Sequence, residues 1–305
     1  MTKDSGCRAC RAGTKLDFDF TMAFQPILDL ADGSVWAYEA LVRGPNGEPA
    51  YTILDRVTDD TRYQFDQAAR VKAIELAGTL FPRDSATRLS INFMPNAVYE
   101  PNACIRASLE AARRIDFAHR RIMFEFTEQE RFRDLEHVKG IVAAYRKQGF
   151  LTALDDFGAG FAGLSLLANF RPDLIKIDMD VLRGLDNDAG RYAIVSGVVA
   201  IARALDVTVL AEGVETAGEL DALRNIGITL VQGYHFAKPL LEGLPPVAGF
   251  APRGCRARSL TPDRRARPSS PTSEPGSAPR PAARAAPAGC RASARCRSPR
   301  RPPAC

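Results

Sequence analysis

The stretch TVLAEGVETAGELDALRNIGITLVQGYHF, residues 208–236, holds one complete structural unit. Its two ends, 208–214 and 230–236, are near-continuous apolar runs, the pattern of strands buried on both faces. Between them Thr216-x-x-Glu219 reads as a capping box. Leu220, Leu223 and Ile226 follow as a helical stripe, and Gly227 is the stop. Strand, helix and strand in succession predict a βαβ crossover. Two residues sit oddly in such strands: Glu212 and Gln232 are polar, and they lie 20 residues apart.

The same rhythm extends upstream. Strands are expected near 24–30, 36–42, 88–94, 121–127, 151–157 and 174–179. Leu135, Val138, Val142 and Tyr145 form one helical stripe, and Val195, Val198, Val199, Ala202 and Leu205 form another. The first two strands are separated only by Ala31-Asp32-Gly33-Ser34, a hairpin turn, so that pair should run antiparallel. Strand–helix alternation over about 230 residues is the scale of a (β/α)8 barrel, with a doubly wound open sheet as the rival. Periodicity alone does not separate the two.

Polar residues recur near the strand ends: Glu39, Asn92, Glu125, Asp155 with Asp156, Lys176 with Asp178, Glu212 and Gln232. From Asn92 onward the successive gaps are 33, 30, 21, 36 and 20 residues, each roughly one βα unit. In a barrel these ends ring one mouth. Any one acid alone reads as a solvated loop residue or a helix cap. Charges repeatedly placed beside apolar strands are costly unless paired or bound to metal. The set is oxygen-rich and contains no His or Cys, so it suits Mg²⁺ or Mn²⁺ rather than zinc. The doubled aspartate in TALDDFGAG, residues 152–160, fits this reading. Adjacent strand residues face opposite ways, but a bend at the strand end, eased by Gly158 and Gly160, would let both face the mouth. Asp155 could then bridge two cations about 3.5–4 Å apart while Asp156 binds the second.

Composition divides the chain. Residues 251–305 hold thirteen Arg, no Lys, one Asp and one Glu, a net charge of +11 that leaves −6 for residues 1–250. Eleven of the 21 prolines and four of the seven cysteines also lie there. Such a stretch buries too little to offset its chain entropy and is expected to be a disordered tail. Its charge would allow nucleic-acid or anionic-lipid contact, the less favoured reading. Its monotony suits equally a GC-rich reading frame running past the end of the domain. Residues 1–20 read as a flexible N-terminal arm with a C-x-x-C, Cys7 and Cys10, that has no second pair at zinc spacing. No export signal or run of 18 apolar residues is evident, so a cytoplasmic location is expected.

The motifs together resemble a known family. YEALVRG (38–44) looks like the signature of the EAL-domain cyclic-di-GMP phosphodiesterases. FQPILDL, INFMPN, FEFTE, LDDFGAG, IKID, LAEGVET and VQGYHFAKP follow in the family's order, over about residues 22–240. The resemblance implies a TIM-like (β/α)8 barrel with one antiparallel strand, occupying residues 21–250. It implies hydrolysis of cyclic di-GMP to linear pGpG with two Mg²⁺ or Mn²⁺ ions, and a homodimer. By resemblance, Glu39, Asn92, Glu125 and Asp155 match the ligands of one cation, and Asp155, Asp156 and Glu212 those of the other. Lys176 matches the lysine that helps activate the attacking water, Gln232 the amide lining that site, and Glu128 the glutamate that steadies the loop after Asp156. Gln25, Leu41, Arg43 and Asp178 fall at substrate-contact positions, and Glu215 matches a glutamate of the EGVE segment. Two departures stand out: Ala159, Ala162 and Gly163 replace hydroxyl residues of the loop, and Gly44 replaces a Trp.

Crowded by cations, Lys176 is expected to have a depressed pKa and accept a proton, or else to orient the water as a charged donor. Two rival functions share the fold. A non-catalytic cyclic-di-GMP receptor or protein-binding module would keep the barrel and lose turnover. A Schiff-base aldolase would use Lys176 as a nucleophile, and the ring of carboxylates argues against it.

Overall fold

The computed structural model describes residues 16–83, 85–98, 100–128, 135–160 and 163–247. The basic tail, Cys7 and Cys10 lie outside the described residues. The first hairpin sets the frame. β1 (Thr21–Asp29) pairs antiparallel with β2 (Ser34–Arg43) in a register that puts Gln25 opposite Glu39 and Thr21 opposite Arg43. The turn is made by side chains: Asp29 accepts from the Ala31 N–H at 2.9 Å and Asp32 from the Ser34 N–H at 2.8 Å. Gly33 supplies a φ of 76°. Ser34, expected in the turn, already belongs to β2.

After β2 the chain alternates as the periodicity predicts. Two helices, α1 (Ala50–Leu54) and α2 (Arg62–Leu80), lead to β3 (Arg88–Asn92). Then come α3 (Pro101–Cys104), α4 (Arg106–Arg114), β4 (Ile122–Thr127), α5 (Leu135–Lys147) and β5 (Leu151–Phe157). The second half runs α6 (Gly163–Asn169), β6 (Leu174–Ile177), α7 (Met179–Leu182), α8 (Ala189–Ala204), β7 (Thr208–Ala211), α9 (Ala217–Ile226) and β8 (Leu230–Val231). Strands β2 to β8 are parallel in sequence order, and β1 closes the ring by pairing antiparallel with β2 and β8. The open sheet is thereby excluded. A ninth strand, β9 (Leu240–Leu241), lies outside the ring and pairs with Ala23 and Phe24 of β1.

The opening motif behaves as read. Thr216 caps α9 by accepting from the Glu219 N–H at 3.1 Å, while Glu219 reaches back to the Thr216 N–H at 3.2 Å. Gly227 ends the helix in the left-handed conformation, φ 93°. Exchanging such a cap for alanine costs about 1 kcal/mol.

The barrel interior explains where the polar residues fall. Ile27, Ala37, Met123, Ala153, Leu174, Leu210 and Leu230 meet inside the barrel as one apolar layer. Side chains two residues apart share a face of a strand. Two residues toward the mouth from each of these stand Gln25, Glu39, Glu125, Asp155, Lys176, Glu212 and Gln232. (β1 runs backwards, so its step is from 27 down to 25.) On β3 the corresponding pair is Ser90 and Asn92. The site is thus the next layer of the core, written in polar side chains.

Outside the ring, Phe93, Phe124, Tyr145 and Phe150 pack ring on ring at centroid separations of 5.1–6.2 Å. Burying each such side chain is worth roughly 1.5–3 kcal/mol. This cluster fixes the outer face of β3 and β4 and so holds the strands whose inner faces carry Asn92 and Glu125.

Candidate active site

Four strand ends converge on one ammonium group. Lys176 of β6 is 1% exposed, and its Nζ lies 2.6 Å from Glu212, 3.0 Å from Glu125, 3.0 Å from Asp155 and 3.5 Å from Glu39. Glu39 is held from both sides: Asn92 Nδ2 donates to Oε1 at 3.0 Å and Gln232 Nε2 donates to Oε2 at 2.9 Å. Glu125, fully buried, accepts from the Ser90 hydroxyl on its other oxygen. Residues spread over nearly 200 positions therefore form one connected network.

The doubled aspartate lies in a bulge within β5 rather than at a bend past its end. Leu154 pairs with Ile175, but the next pair is Phe157 with Ile177, so β5 carries one extra residue. Asp156 takes the strained part of that bulge at φ 55°, a conformation aspartate tolerates better than most side chains. The strand direction is lost for one residue, and both aspartates reach the mouth. Gly158, φ 99°, completes the turn. Glu128 ties this loop down: its Oε1 accepts from the Gly158 N–H at 3.3 Å and from the Gly160 N–H.

β6, β7 and β8 end at Ile177, Ala211 and Val231, earlier than the apolar runs predict. Backbone bonds continue past them: Glu212 N–H to Ile177 O at 3.1 Å, Gln232 N–H to Ala211 O at 2.9 Å and Val214 N–H to Gln232 O at 3.0 Å. The last of these brings Gly233 so close to the Val214 backbone that a Cβ there would overlap it. The glycine is required for Gln232 to enter the site.

Electrostatics in the cluster follow from burial. Burial pushes the Glu125 carboxyl up to about 8 even with Lys176 beside it. Burial, with Asp155 close by, also holds Glu212 well above the usual carboxylate range. Asp156 is pushed up to about 6 by burial and by its neighbours Asp155 and Asp178. For Lys176 burial acts downward, but Asp155, Glu125, Glu212 and Glu39 outweigh it and hold the ammonium well above its ordinary range. Without cations, the four acid side chains within 3.5 Å favour the protonated amine; the depressed value expected beside two bound cations belongs to the metal-loaded site. The ring of acids around Lys176 favours an ammonium, which is no Schiff-base nucleophile, and so weighs against the aldolase reading.

The donor set fits divalent cations. One triad, Glu39, Glu125 and Asp155, and a second, Asp155, Asp156 and Glu212, each offer carboxylate oxygens within 4.8 Å of one another, and Asp155 is common to both. All are hard oxygen donors. Gln232 Oε1, buried beside Glu39, has no hydrogen-bond partner among the described residues and is free for a further donor.

A cleft of about 290 Å³ opens above the cluster, lined by Gln25, Asp156, Asp178, Glu212, Gln232 and Tyr234 among others. Of the expected substrate contacts, Gln25 lines it while donating to Ala237 O at 3.2 Å, and Asp178 lines it while capping α7 through the Asp180 N–H at 2.8 Å. Leu41 and Arg43 follow Glu39 on the same face of β2 but are absent from this lining, and the Arg43 guanidinium turns back onto the Val42 carbonyl at 2.7 Å. Glu215 lines the cleft and pairs with Arg183 at 3.0 Å. Sequence reasoning missed Ser90, Met179 and Tyr234. Ser90 has a readable signal, since it stands two residues before Asn92 on the inward face.

The comparisons agree with this geometry. The EAL domain family profile matches residues 10–239. The antirepressor BluF of Escherichia coli K12, blue light- and temperature-regulated, is 32% identical over 227 residues, covering 74% of this chain and 56% of that protein. The probable cyclic di-GMP phosphodiesterase PdeG of the same organism is 30% identical over 230 residues, covering 71% and 44%. The chain thus spans about half the length of these curated relatives. A standalone EAL protein from Vibrio cholerae O395, solved in its c-di-GMP-bound form, superposes with a TM-score of 0.73 at 50% identity, covering 76% of this chain and 97% of that one. Klebsiella pneumoniae BlrP1, in a manganese/cyclic-di-GMP complex, gives 0.71 at 33% identity, covering 77% and 60%. With three quarters of its residues inside the family profile and a barrel of the same design, the chain belongs to the EAL domain family.

Proposed function

We propose that this protein hydrolyses one 3′–5′ phosphodiester bond of cyclic di-GMP, releasing linear pGpG and lowering the second-messenger level. The carrying observation is the pair of carboxylate triads that share Asp155 around Lys176. Related proteins bearing phosphodiesterase names and neighbours solved with c-di-GMP support the choice of substrate.

The cleft is lined by Glu39, Asp156, Asp178, Glu212 and Glu215, a wall that repels a phosphodiester on its own. Two Mg²⁺ or Mn²⁺ ions, when bound, would neutralise that wall, lower the pKa of a water and polarise the phosphoryl oxygens. Glu39, Asn92, Glu125 and Asp155 would hold one ion, and Asp155, Asp156 and Glu212 the other. Lys176, kept protonated, would orient the attacking water through a charged hydrogen bond rather than take its proton. Gln232 Oε1 would accept from the same water. Glu128 would steady the loop after Asp156 through the Gly158 and Gly160 amides. Gln25 and Asp178 would meet the nucleotide; Leu41 and Arg43 would do so only after the guanidinium leaves Val42.

We assign the activity to residues 21–250, acting in the cytoplasm as a homodimer; described helices include none long and apolar enough to cross a membrane. Light scattering on the purified protein checks the dimer. The test of function is purified protein with cyclic di-GMP and Mg²⁺ or Mn²⁺. Formation of pGpG, abolished in Glu39→Ala, is expected; absence of pGpG under both metals refutes the proposal. The antirepressor name of one relative favours a second reading, a protein-binding module. Tight nucleotide binding without turnover would select it.

A further inference from the structure

A buried ion pair outside the site has no part in the chemistry described so far. Asp66 and Arg70, one turn apart on α2, are 3% and 0% exposed, and their side chains meet at 2.5 Å. Arg70 Nη1 donates to the hydroxyl of Tyr145 on α5 at 3.1 Å, and Tyr145 is also fully buried. Asp66 spends its remaining oxygen on the backbone: Oδ1 accepts from the Met94 N–H at 2.9 Å.

Burying such a pair is costly, and apolar residues of similar volume are often as stabilising or more so. Its value must therefore lie in what it orients. Met94 is two residues past Asn92, the last residue of β3. The intervening Phe93 packs on Phe124, Phe126 and Tyr145, and its N–H donates to Glu125 O at 2.9 Å. Asn92 itself donates to Glu39 at 3.0 Å. The chain leaves β3 here: the Phe93 N–H bond to Glu125 O is the last to β4, and the next amide, Met94, is held by the Asp66 side chain instead.

We infer that Asp66, braced by Arg70 and Tyr145, is a positioning residue that fixes Asn92 toward the first cation site by anchoring the Met94 amide. The inference rests on the two-cation reading above. Partners that orient a ligand from behind typically carry 10–100-fold in metal affinity. The Asp66 carboxylate acts through three residues of backbone, so the low end of that range, about tenfold, is expected at one of the two sites.

The test is Mn²⁺ binding by the full chain, followed by electron paramagnetic resonance and titration calorimetry without nucleotide. Asp66→Asn keeps an acceptor for Met94 and should bind both ions within about threefold of wild type. The double variant Asp66→Leu with Arg70→Met keeps the volume and removes the acceptor. It should stay folded and bind one ion about tenfold more weakly, with the other unchanged. Folded double variant binding both ions as wild type does would overturn the inference. If the double variant does not fold, Tyr145→Phe decides: weaker binding at one site supports the relay, and unchanged binding overturns it. Wild type that binds no Mn²⁺ would instead sink the underlying two-cation reading, so the two failures are distinguishable.

Discussion

Replacing Lys176 by methionine keeps the side chain's length and removes the one positive charge in the cluster. In wild type without cations, the ammonium contacts Glu212, Glu125, Asp155 and Glu39 at 2.6–3.5 Å. Removing one partner of a buried ion pair costs about 3–5 kcal/mol. Here the cluster can shed part of the resulting repulsion by taking up protons, because burial already holds Glu125 near 8 and Glu212 above its ordinary range. The low end, about 3 kcal/mol, therefore applies. At roughly 2–4 °C per kcal/mol for a domain of this size, the metal-free variant should melt about 6–12 °C below wild type. Divalent cations can take over the neutralising role. Adding millimolar Mg²⁺ or Mn²⁺ should raise the variant's Tm by several degrees more than it raises wild type's. Turnover should not return, because the charged donor for the water is gone; a loss of about 10²–10³ in kcat is expected. Differential scanning calorimetry with and without metal, paired with a pGpG assay, reads both quantities. A metal-free variant as stable as wild type, or a metal-loaded variant with wild-type turnover, would refute the reasoning.

Asp155→Asn weakens both carboxylate triads at once, so Mn²⁺ titration should show both sites weakened, whereas Glu39→Gln should weaken one. Loss of a single site in Asp155→Asn would contradict the shared-ligand arrangement. Thr216→Ala removes the cap of α9 without removing a proposed cation ligand; a cost of about 1 kcal/mol predicts a fall in Tm of roughly 2–4 °C with kcat unchanged.

Much of the site was legible because the barrel repeats one rule. Each inward position two residues beyond the apolar layer carries a polar side chain, and a strand written as apolar-x-polar shows this without coordinates. What stayed hidden depends on burial or on chain direction within a turn. Asp66 and Arg70 look on paper like an exposed i, i+4 pair of a helix surface. They interrupt the apolar stripe of α2, and only the packing of α5 over them reveals that they are interior. The bulge at Asp155–Asp156 is another case: the sequence announces a bend and two glycines, but the extra residue appears only when β5 is set against β6. β9 is two exposed residues long and has no periodicity to read. The metal-free charge balance at Lys176 was hidden too, because acids from β2, β4, β5 and the residue just after β7 converge on it, a sum that no local stretch contains.

The reversed direction of β1 has a consequence for how the chain enters the barrel. In a barrel whose strands all run the same way, the chain enters at the floor, a full strand length from the chemistry. Here Thr21 lies opposite Arg43, so the chain arrives at the rim and descends from there. The described residues just ahead of it are already anchored in the helical layer, Phe18 and Phe20 packing on Phe65 of α2, so the first strand enters the ring from a fixed point at the rim.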